Sequence, residues 1–334
     1  MLEQTLPRIA LLATGGTIAG TQVQANSAGY KAGALPIGHL VDAVPGLSNL
    51  ARIQAEQVAN IGSQNMSHDV WGALAARIAD LSRQEDIKGI VVVHGTDTLE
   101  ETAYFLSLVT HTDKPLVLVG AMRPATALGA EGPANLYNAV ALAVSAQARG
   151  RGPLVVMNED IHYAREVQKI ASMGICAFAS PNRGRAGVVR GGEPRFYSRN
   201  TTRHTLDSEF SLSALQAAHW PRVDIVYAHA GMDGLLIDAL AGHAAGIVLA
   251  GVGGGNTTDS ALSALSRAAA AGVAVVRSSR TGSGPVDRGG EVDDDAMNFV
   301  AAGELSPQKA RVLLMLALSV GRDPAQWQRC FEQY

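Results

Sequence analysis

The chain has 334 residues, a formal net charge of −3, 47% hydrophobic and 17% charged residues, and 36 glycines. Hydrophobic content this high with so little net charge excludes intrinsic disorder, and the length predicts two domains of about 150 residues, or one large one. No basic block offers a nucleic-acid footprint and no apolar run reaches 18 residues, so neither nucleic acid nor a membrane is an expected partner.

The first apolar run, Ile9–Ala13, is predicted as a buried strand; it is too short for a signal peptide, so a cytoplasmic location is expected if Met1 is the native start. Between His68 and Arg83, Trp71, Leu74, Ile78 and Leu81 share one helical face. A strand at Ile90–Val93 leads into a helix over Thr98–Val109, with Thr98 and Glu101 at capping-box spacing. The alternation continues through a strand at Leu116–Val119, a helix at Ala134–Ala148 and a strand at Leu154–Met157. It resumes with strands at Ile225–Tyr227, Ile247–Ala250 and Val273–Val276, and helices at Ser260–Ala271 and Pro307–Val320, where Pro307 suits a first turn.

Continuous rather than alternating apolarity marks strands buried on both faces, and β-α alternation predicts a doubly wound, mostly parallel α/β sheet. The polar stretch 197–209, YSRNTTRHTLDSE, divides the chain. The expected organisation is a larger N-terminal α/β domain over 1–197, a linker over 198–220, and a smaller C-terminal α/β domain over 221–334. Cys176 and Cys330 lack CxxC spacing, and the nine histidines show neither HxH nor HExxH spacing, so free thiols and no metal are expected.

Two segments follow buried strands, where open α/β sheets bind ligands. Ala13-Thr14-Gly15-Gly16-Thr17-Ile18-Ala19-Gly20 offers close backbone approach and the Thr17 hydroxyl, but its spacing is neither GxGxxG nor a phosphate loop. Taken alone it is equally a tight glycine turn. His94-Gly95-Thr96-Asp97-Thr98-Leu99-Glu100-Glu101-Thr102 brings a second hydroxyl and a carboxylate, although Thr96 or Asp97 at a helix start is also what a simple cap would look like. A threonine nucleophile needs activation. Lys169 serves that need if it lies desolvated beside the threonines, and otherwise reads as a surface lysine.

These two segments resemble the paired signatures of bacterial-type L-asparaginases. The resemblance runs in order along the chain through Ile61-Gly62-Ser63-Gln64, Gly120-Ala121-Met122-Arg123-Pro124, Gly251-Val252-Gly253, Val275-Val276-Arg277-Ser278-Ser279-Arg280 and Pro307-Gln308-Lys309-Ala310-Arg311. It implies hydrolysis of L-asparagine to L-aspartate and ammonia, with possible L-glutamine activity and no metal or organic cofactor. It further implies Thr17 as nucleophile, Tyr30 as its lid partner, and Thr96, Asp97 and Lys169 as the second threonine with its polar partners. Ser63, Gln64 and Asp97 match the groups that hold the substrate's α-carboxylate and α-amine. Asn256 and Glu291 match residues supplied by a neighbouring subunit of a homotetramer.

Physically, backbone N–H groups at the two glycine turns would serve as oxyanion donors. The small, polar stretch between Gly20 and Gly33 suits a lid. Gly251–Asn256 resembles a nucleotide cradle, but no lysine follows; close approach across a subunit contact fits better. The chain departs from the family pattern at Asn65, where aspartate is common, at Gly254, where asparagine often sits, and over 125–132 and 162–166. These departures bear on the choice between asparagine and glutamine. Four other readings compete: a glutaminase-asparaginase with strong L-glutamine activity, a non-catalytic amino-acid-binding protein on the same scaffold, a subunit of a transfer-RNA-dependent amidotransferase, and a nucleotide-binding enzyme.

Overall fold

The structure, a computed structural model, describes residues 6–22, 29–31, 33–321 and 323–334. The chain divides into two compact units, Met1–Ser208 and Glu209–Tyr334.

The first unit is built on an eight-stranded sheet. Its strands are β1 (Arg8–Gly15), β2 (Arg52–Ile61), β3 (Ile87–Val93), β4 (Leu116–Val119), β5 (Pro153–Met157), β6 (Asp160–Tyr163), β7 (Gly187–Arg190) and β8 (Glu193–Phe196). The spatial order is β8-β7-β6-β5-β4-β3-β1-β2. From β2 to β5 every pairing is parallel, and β6 to β8 extend the sheet antiparallel. β5 and β6 join through Asn158 and Glu159, both left-handed (φ 49° and 67°), the backbone that a two-residue hairpin turn requires.

The inner parallel strands are largely apolar because helices cover both faces, whereas edge strand β2 (RIQAEQVANI) is half-exposed. Ile9, Leu11, Val91, Val93, Val117 and Val119 pack on one face against Leu136, Ala139 and Val140 of α3 (Gly132–Val144). Strand alternation turns Ala10, Leu12, Ile90 and Val92 to the other face. Helices α1 (His68–Ser82) and α2 (Leu99–Val109) join this framework, and short helices over Ile37–Asp42 and Leu47–Leu50 add Leu40 and Leu47 to the core. The predicted stripe on α1 is buried, and Ser67 caps the helix by accepting from Val70 N–H at 3.3 Å.

The capping box expected at Thr98 and Glu101 does not form. Thr98 occupies the N-cap position, yet its hydroxyl donates to Ser63 O at 2.8 Å. The hydroxyl is turned to a long-range carbonyl and accepts no N–H from the first turn of its own helix.

The second unit carries a four-stranded, all-parallel sheet in sequential order: β9 (Val223–Tyr227), β10 (Gly246–Gly251), β11 (Ala274–Ser279) and β12 (Phe299–Ala301). Its helices of more than one turn are α4 (Leu212–Ala217), α5 (Leu235–Ala241), α6 (Asp259–Ala270), α7 (Pro307–Ser319) and α8 (Pro324–Gln333), and a one-turn helix over Asp294–Met297 precedes β12. Thr258 caps α6 through Ala261 N–H, and Pro307 lies in the first turn of α7.

The stretch 198–220, read from sequence as a linker, contains a 3-10 turn at Thr205–Asp207 and helix α4. Its few apolar side chains include Phe210 and Leu215, both fully buried. Phe210 rests on the Tyr334 ring, with centroids 5.0 Å apart.

The turns after β1, β2 and β3 meet backbone to backbone. Gly15 and Gly16 have φ of 106° and 90°. A Cβ at Gly16 would lie 2.4 Å from Gly95 Cα, and one at Gly95 would lie 2.7 Å from Ser63 Oγ. Only glycine combines this dihedral with this proximity. Gly16→Ala is therefore expected to cost about 2–4 kcal/mol through strain and displaced backbone, read as a lower urea midpoint at unchanged slope.

Candidate active site

A cleft of about 520 Å³ opens beyond the carboxyl ends of β1 and β3. Thr17, Thr96, Asp97, Met122, Lys169 and Met173 are among its lining residues. Thr17 begins a 3-10 turn directly after Gly16, and Thr96 follows Gly95, so the glycine contact brings both hydroxyl-bearing residues to one wall. Both threonines are buried.

Lys169 reaches Thr96 from a short ladder in which Gln168–Lys169 pairs with Phe178–Ala179. Its Nζ donates to Thr96 Oγ1 at 2.9 Å and to Asp97 Oδ1 at 2.6 Å. Its backbone N–H donates to Glu100 Oε2 at 2.5 Å. Glu100 is buried in the first turn of α2. The Lys169 side chain is only 17% exposed, against 57% for Asp97. The cation is thus held inside, with its carboxylate partner facing solvent.

Ser63 begins another 3-10 turn, beyond β2. Its Oγ accepts from Asp97 N–H at 3.0 Å. Gln64 is exposed in the same turn. On the opposite border, the Glu131 carboxylate accepts from Met122 N–H and, at 3.3 Å, from Arg123 N–H. Asn135 Nδ2 donates to Gly120 O at 3.0 Å. These contacts tie the 120–124 loop to the start of α3.

A second cleft of about 550 Å³ is lined by Arg149, Arg151, Arg199 and His204 among others, with no Ser, Thr or Cys in its lining. Arg149 pairs with Asp113, and Arg151 with Tyr163 and Ser198. Hydroxyl chemistry belongs to the first cleft.

Comparison with known proteins agrees in fold and sequence. The family described as "Asparaginase, N-terminal" matches residues 8–202, and "Glutaminase/Asparaginase C-terminal domain" matches residues 222–331. The chain belongs to the asparaginase family. It is 47% identical to L-asparaginase 2 of Escherichia coli, over 98% of this chain and 94% of that protein. It is 43% identical to the glutaminase-asparaginase of Pseudomonas fluorescens, over 98% and 91%. A crystal structure of a probable cytoplasmic L-asparaginase from Campylobacter jejuni superimposes with a TM-score of 0.94 at 45% identity, covering 98% of this chain and all of that one.

Of the residues read from sequence, Thr17, Ser63, Thr96, Asp97 and Lys169 meet in the first unit as described. The side chain of Tyr30 lies outside the described residues, as do residues 23–28 and 32 of the stretch read as a lid. The backbone of Tyr30–Lys31 pairs antiparallel with Thr21–Gln22. Asn256 and Glu291 lie in the second unit, where Asn256 Nδ2 donates to Glu291 Oε2. The expectation of oxyanion donors at the glycine turns needs narrowing. Gly16 N–H donates to Ile61 O at 3.0 Å, which removes it from that role.

Sequence reasoning overlooked Glu100, Glu131, Asn135 and His94. His94 directly follows a strand, whereas Glu100, Glu131 and Asn135 lie at or within helix starts and carry no spacing signal for their loop contacts.

His94 is wholly buried. Its Nδ1 lies 2.7 Å from Gly95 O, and its Nε2 lies 2.9 Å from Thr102 Oγ1. A carbonyl only accepts, so Nδ1 carries the proton and Nε2 accepts from the Thr102 hydroxyl. Thr102 Oγ1 in turn accepts from Trp71 Nε1 at 2.8 Å. Burial, opposed by the Gly95 carbonyl, pushes the imidazole pKa down to about 4. The unfolded chain therefore binds a proton near pH 6.5 that the folded chain refuses until about pH 4. This contribution to stability is present above pH 6.5 and is lost as pH falls towards 4, amounting to about 3 kcal/mol. Urea titrations between pH 7 and 4 should show stability falling in this window. His94→Gln should be less stable at neutral pH and show a flatter decline; an unchanged slope would argue against His94 as its source.

Proposed function

We propose that the chain hydrolyses L-asparagine to L-aspartate and ammonia, with Thr17 as nucleophile. The observation that carries this reading is the Lys169 ammonium bridging Thr96 Oγ1 and Asp97 Oδ1 in a cleft also lined by Thr17. Relatives named L-asparaginase, 46–47% identical over nearly the whole chain, support the same substrate.

Thr17 Oγ1 bonds to the side-chain amide carbon, and the C–N bond breaks. The hydroxyl proton ends on the departing nitrogen, which leaves as ammonia. Water then cleaves the acyl-enzyme ester, restoring the threonine hydroxyl and releasing aspartate. Lys169 donates to Thr96 Oγ1, and its positive charge stabilises oxyanion character on that hydroxyl, which relays the Thr17 proton to the departing nitrogen and ends protonated as it began. Ser63, Gln64 and Asp97 clamp the α-carboxylate and α-amine, where a fixed orientation replaces a diffusional encounter. The neighbouring subunit of a homotetramer contributes Asn256 and Glu291 to the same substrate. An exposed free thiol at Cys176 is compatible with a reducing, cytoplasmic compartment.

Purified protein should release ammonia from L-asparagine faster than from L-glutamine, which is one methylene longer. Thr17→Ala should lower turnover about a thousandfold or more, and Lys169→Met about a hundredfold or more, at near-native stability. Near-native turnover by folded Thr17→Ala protein would remove it as nucleophile. At low substrate, where Glu291→Ala is limited by weak binding, mixed oligomers of Thr17→Ala and Glu291→Ala chains should be more active than either parent, since some sites would then combine two intact halves. Absence of recovery in verified mixed oligomers would count against shared sites.

A further inference from the structure

Of the two arginines in the motif Val275–Arg280, Arg277 has no part in the chemistry above, yet it is the largest fully buried side chain among the described residues. It lies on β11, and Asp294, also fully buried, faces it as a two-pronged partner. Arg277 Nε donates to Asp294 Oδ1 and Nη2 to Oδ2, both at 2.6 Å. The remaining donors serve the backbone. Nη1 approaches Gly254 O at 3.2 Å and Gly255 O at 3.4 Å, and Nη2 donates to Asp287 O at 3.1 Å. Asp294 Oδ2 also accepts from Gly289 N–H at 2.9 Å.

One ion pair therefore spans two loops, the turn 252–256 after β10 and the segment 286–294 between β11 and β12. Asn256 sits on the first loop and Glu291 on the second, and their side chains meet. Each loop is anchored separately at its edge. Val252 and Asn256 exchange backbone hydrogen bonds of 2.8 Å, and Arg288 Nη1 donates to Phe299 O at 3.2 Å. Arg277 is what ties one loop to the other from beneath. A buried ion pair seldom exceeds a well-packed apolar pair in stability, so fold stability alone does not account for it. Its forked geometry does account for a fixed separation between two loop backbones.

We propose that Arg277, held by Asp294, is a positioning residue that pre-forms the Asn256–Glu291 pair for substrate binding. This inference rests on the reading of Asn256 and Glu291 as substrate contacts. It assigns Arg277 no contact with substrate, only control over where the amide and the carboxylate stand.

The test is steady-state kinetics of the full chain on L-asparagine, for Arg277→Lys alone and combined with Glu291→Ala. Lysine keeps the charge and removes the fork. Alone, Arg277→Lys should raise KM about tenfold and change kcat less than about threefold. In the Glu291→Ala background, where the positioned group is gone, the same change should add less than about twofold to KM. An unchanged KM for the folded single variant overturns the proposal, and so does an equal increase in both backgrounds. Should Arg277→Lys fail to fold, Asp294→Asn, which keeps the shape and removes the charge, is judged by the same two ratios.

Hydrogen–deuterium exchange separates this inference from the reading beneath it. The Arg277 variant should speed exchange at 253–256 and at 286–293 together, while α7 stays protected. If Glu291→Ala leaves KM unchanged, Glu291 as a substrate contact fails; the loop-holding role then stands or falls on exchange alone. Unaltered exchange in both loops overturns it.

Discussion

The contact between Gly16 and Gly95 is the constraint from which the first unit's site follows. Two parallel strands, β1 and β3, end side by side, and their turns touch through glycine backbone, with 2.4 Å between an imagined Gly16 Cβ and Gly95 Cα. Each turn is followed at once by a threonine. The third participant enters by the same route, since Gly16 N–H bonds to Ile61 O and Ser63 lies two residues beyond Ile61. Side-chain rotamers therefore choose little about where these hydroxyls stand. Backbone position decides it, and the entropy of bringing the groups together is lost during folding rather than at each turnover.

Charge is handled with the same economy of motion. Lys169 comes from a distant segment, and a buried carboxylate, Glu100, grips its backbone rather than its ammonium. The ammonium is thus left to Thr96 and Asp97. Were the side chains of Glu100 and Lys169 paired directly, the two charges would satisfy each other and Thr96 would lose its cationic partner. His94 completes the pattern from below. Burial keeps it neutral, so it steadies the Gly95 carbonyl through hydrogen bonding without adding a second positive charge behind the threonines.

The strands legible in the sequence were those buried on both faces, because continuous apolarity is their signature. β2 carries RIQAEQVANI at the sheet edge, half-exposed along its length, and gives no such run. β6 to β8 are short and antiparallel, and the left-handed pair Asn158-Glu159 that turns the chain is not a usual glycine-bearing hairpin signal. The two threonine segments were legible through their glycines and their place after strands. Glu100 and Glu131 were not, since a carboxylate near a helix start reads as dipole complementation. Their actual acceptor roles are long-range or loop-directed, and spacing carries no record of such contacts. Thr98 shows the converse error, a local capping pattern overruled by a carbonyl 35 residues away in the chain.

The two units solve one problem by different means. In the first, loops are placed by glycine backbones in contact, which works because the parent strands are adjacent and the turns are short. In the second, the turn after β10 and the segment between β11 and β12 belong to no strand of the sheet, and a buried side chain draws them together. The carbonyls of Gly254, Gly255 and Asp287 converge instead on one point. A guanidinium brings five donors in a rigid plane, enough for a carboxylate and three carbonyls, whereas an ammonium brings three. Replacing Arg277 and Asp294 by apolar residues of equal volume would remove the desolvation cost of two charges. It would also strand the carbonyl of buried Gly255, at about 1–3 kcal/mol, and release those of exposed Gly254 and Asp287 to water, loosening both loops. That asymmetry favours arginine at this position even where an apolar core would serve the sheet as well.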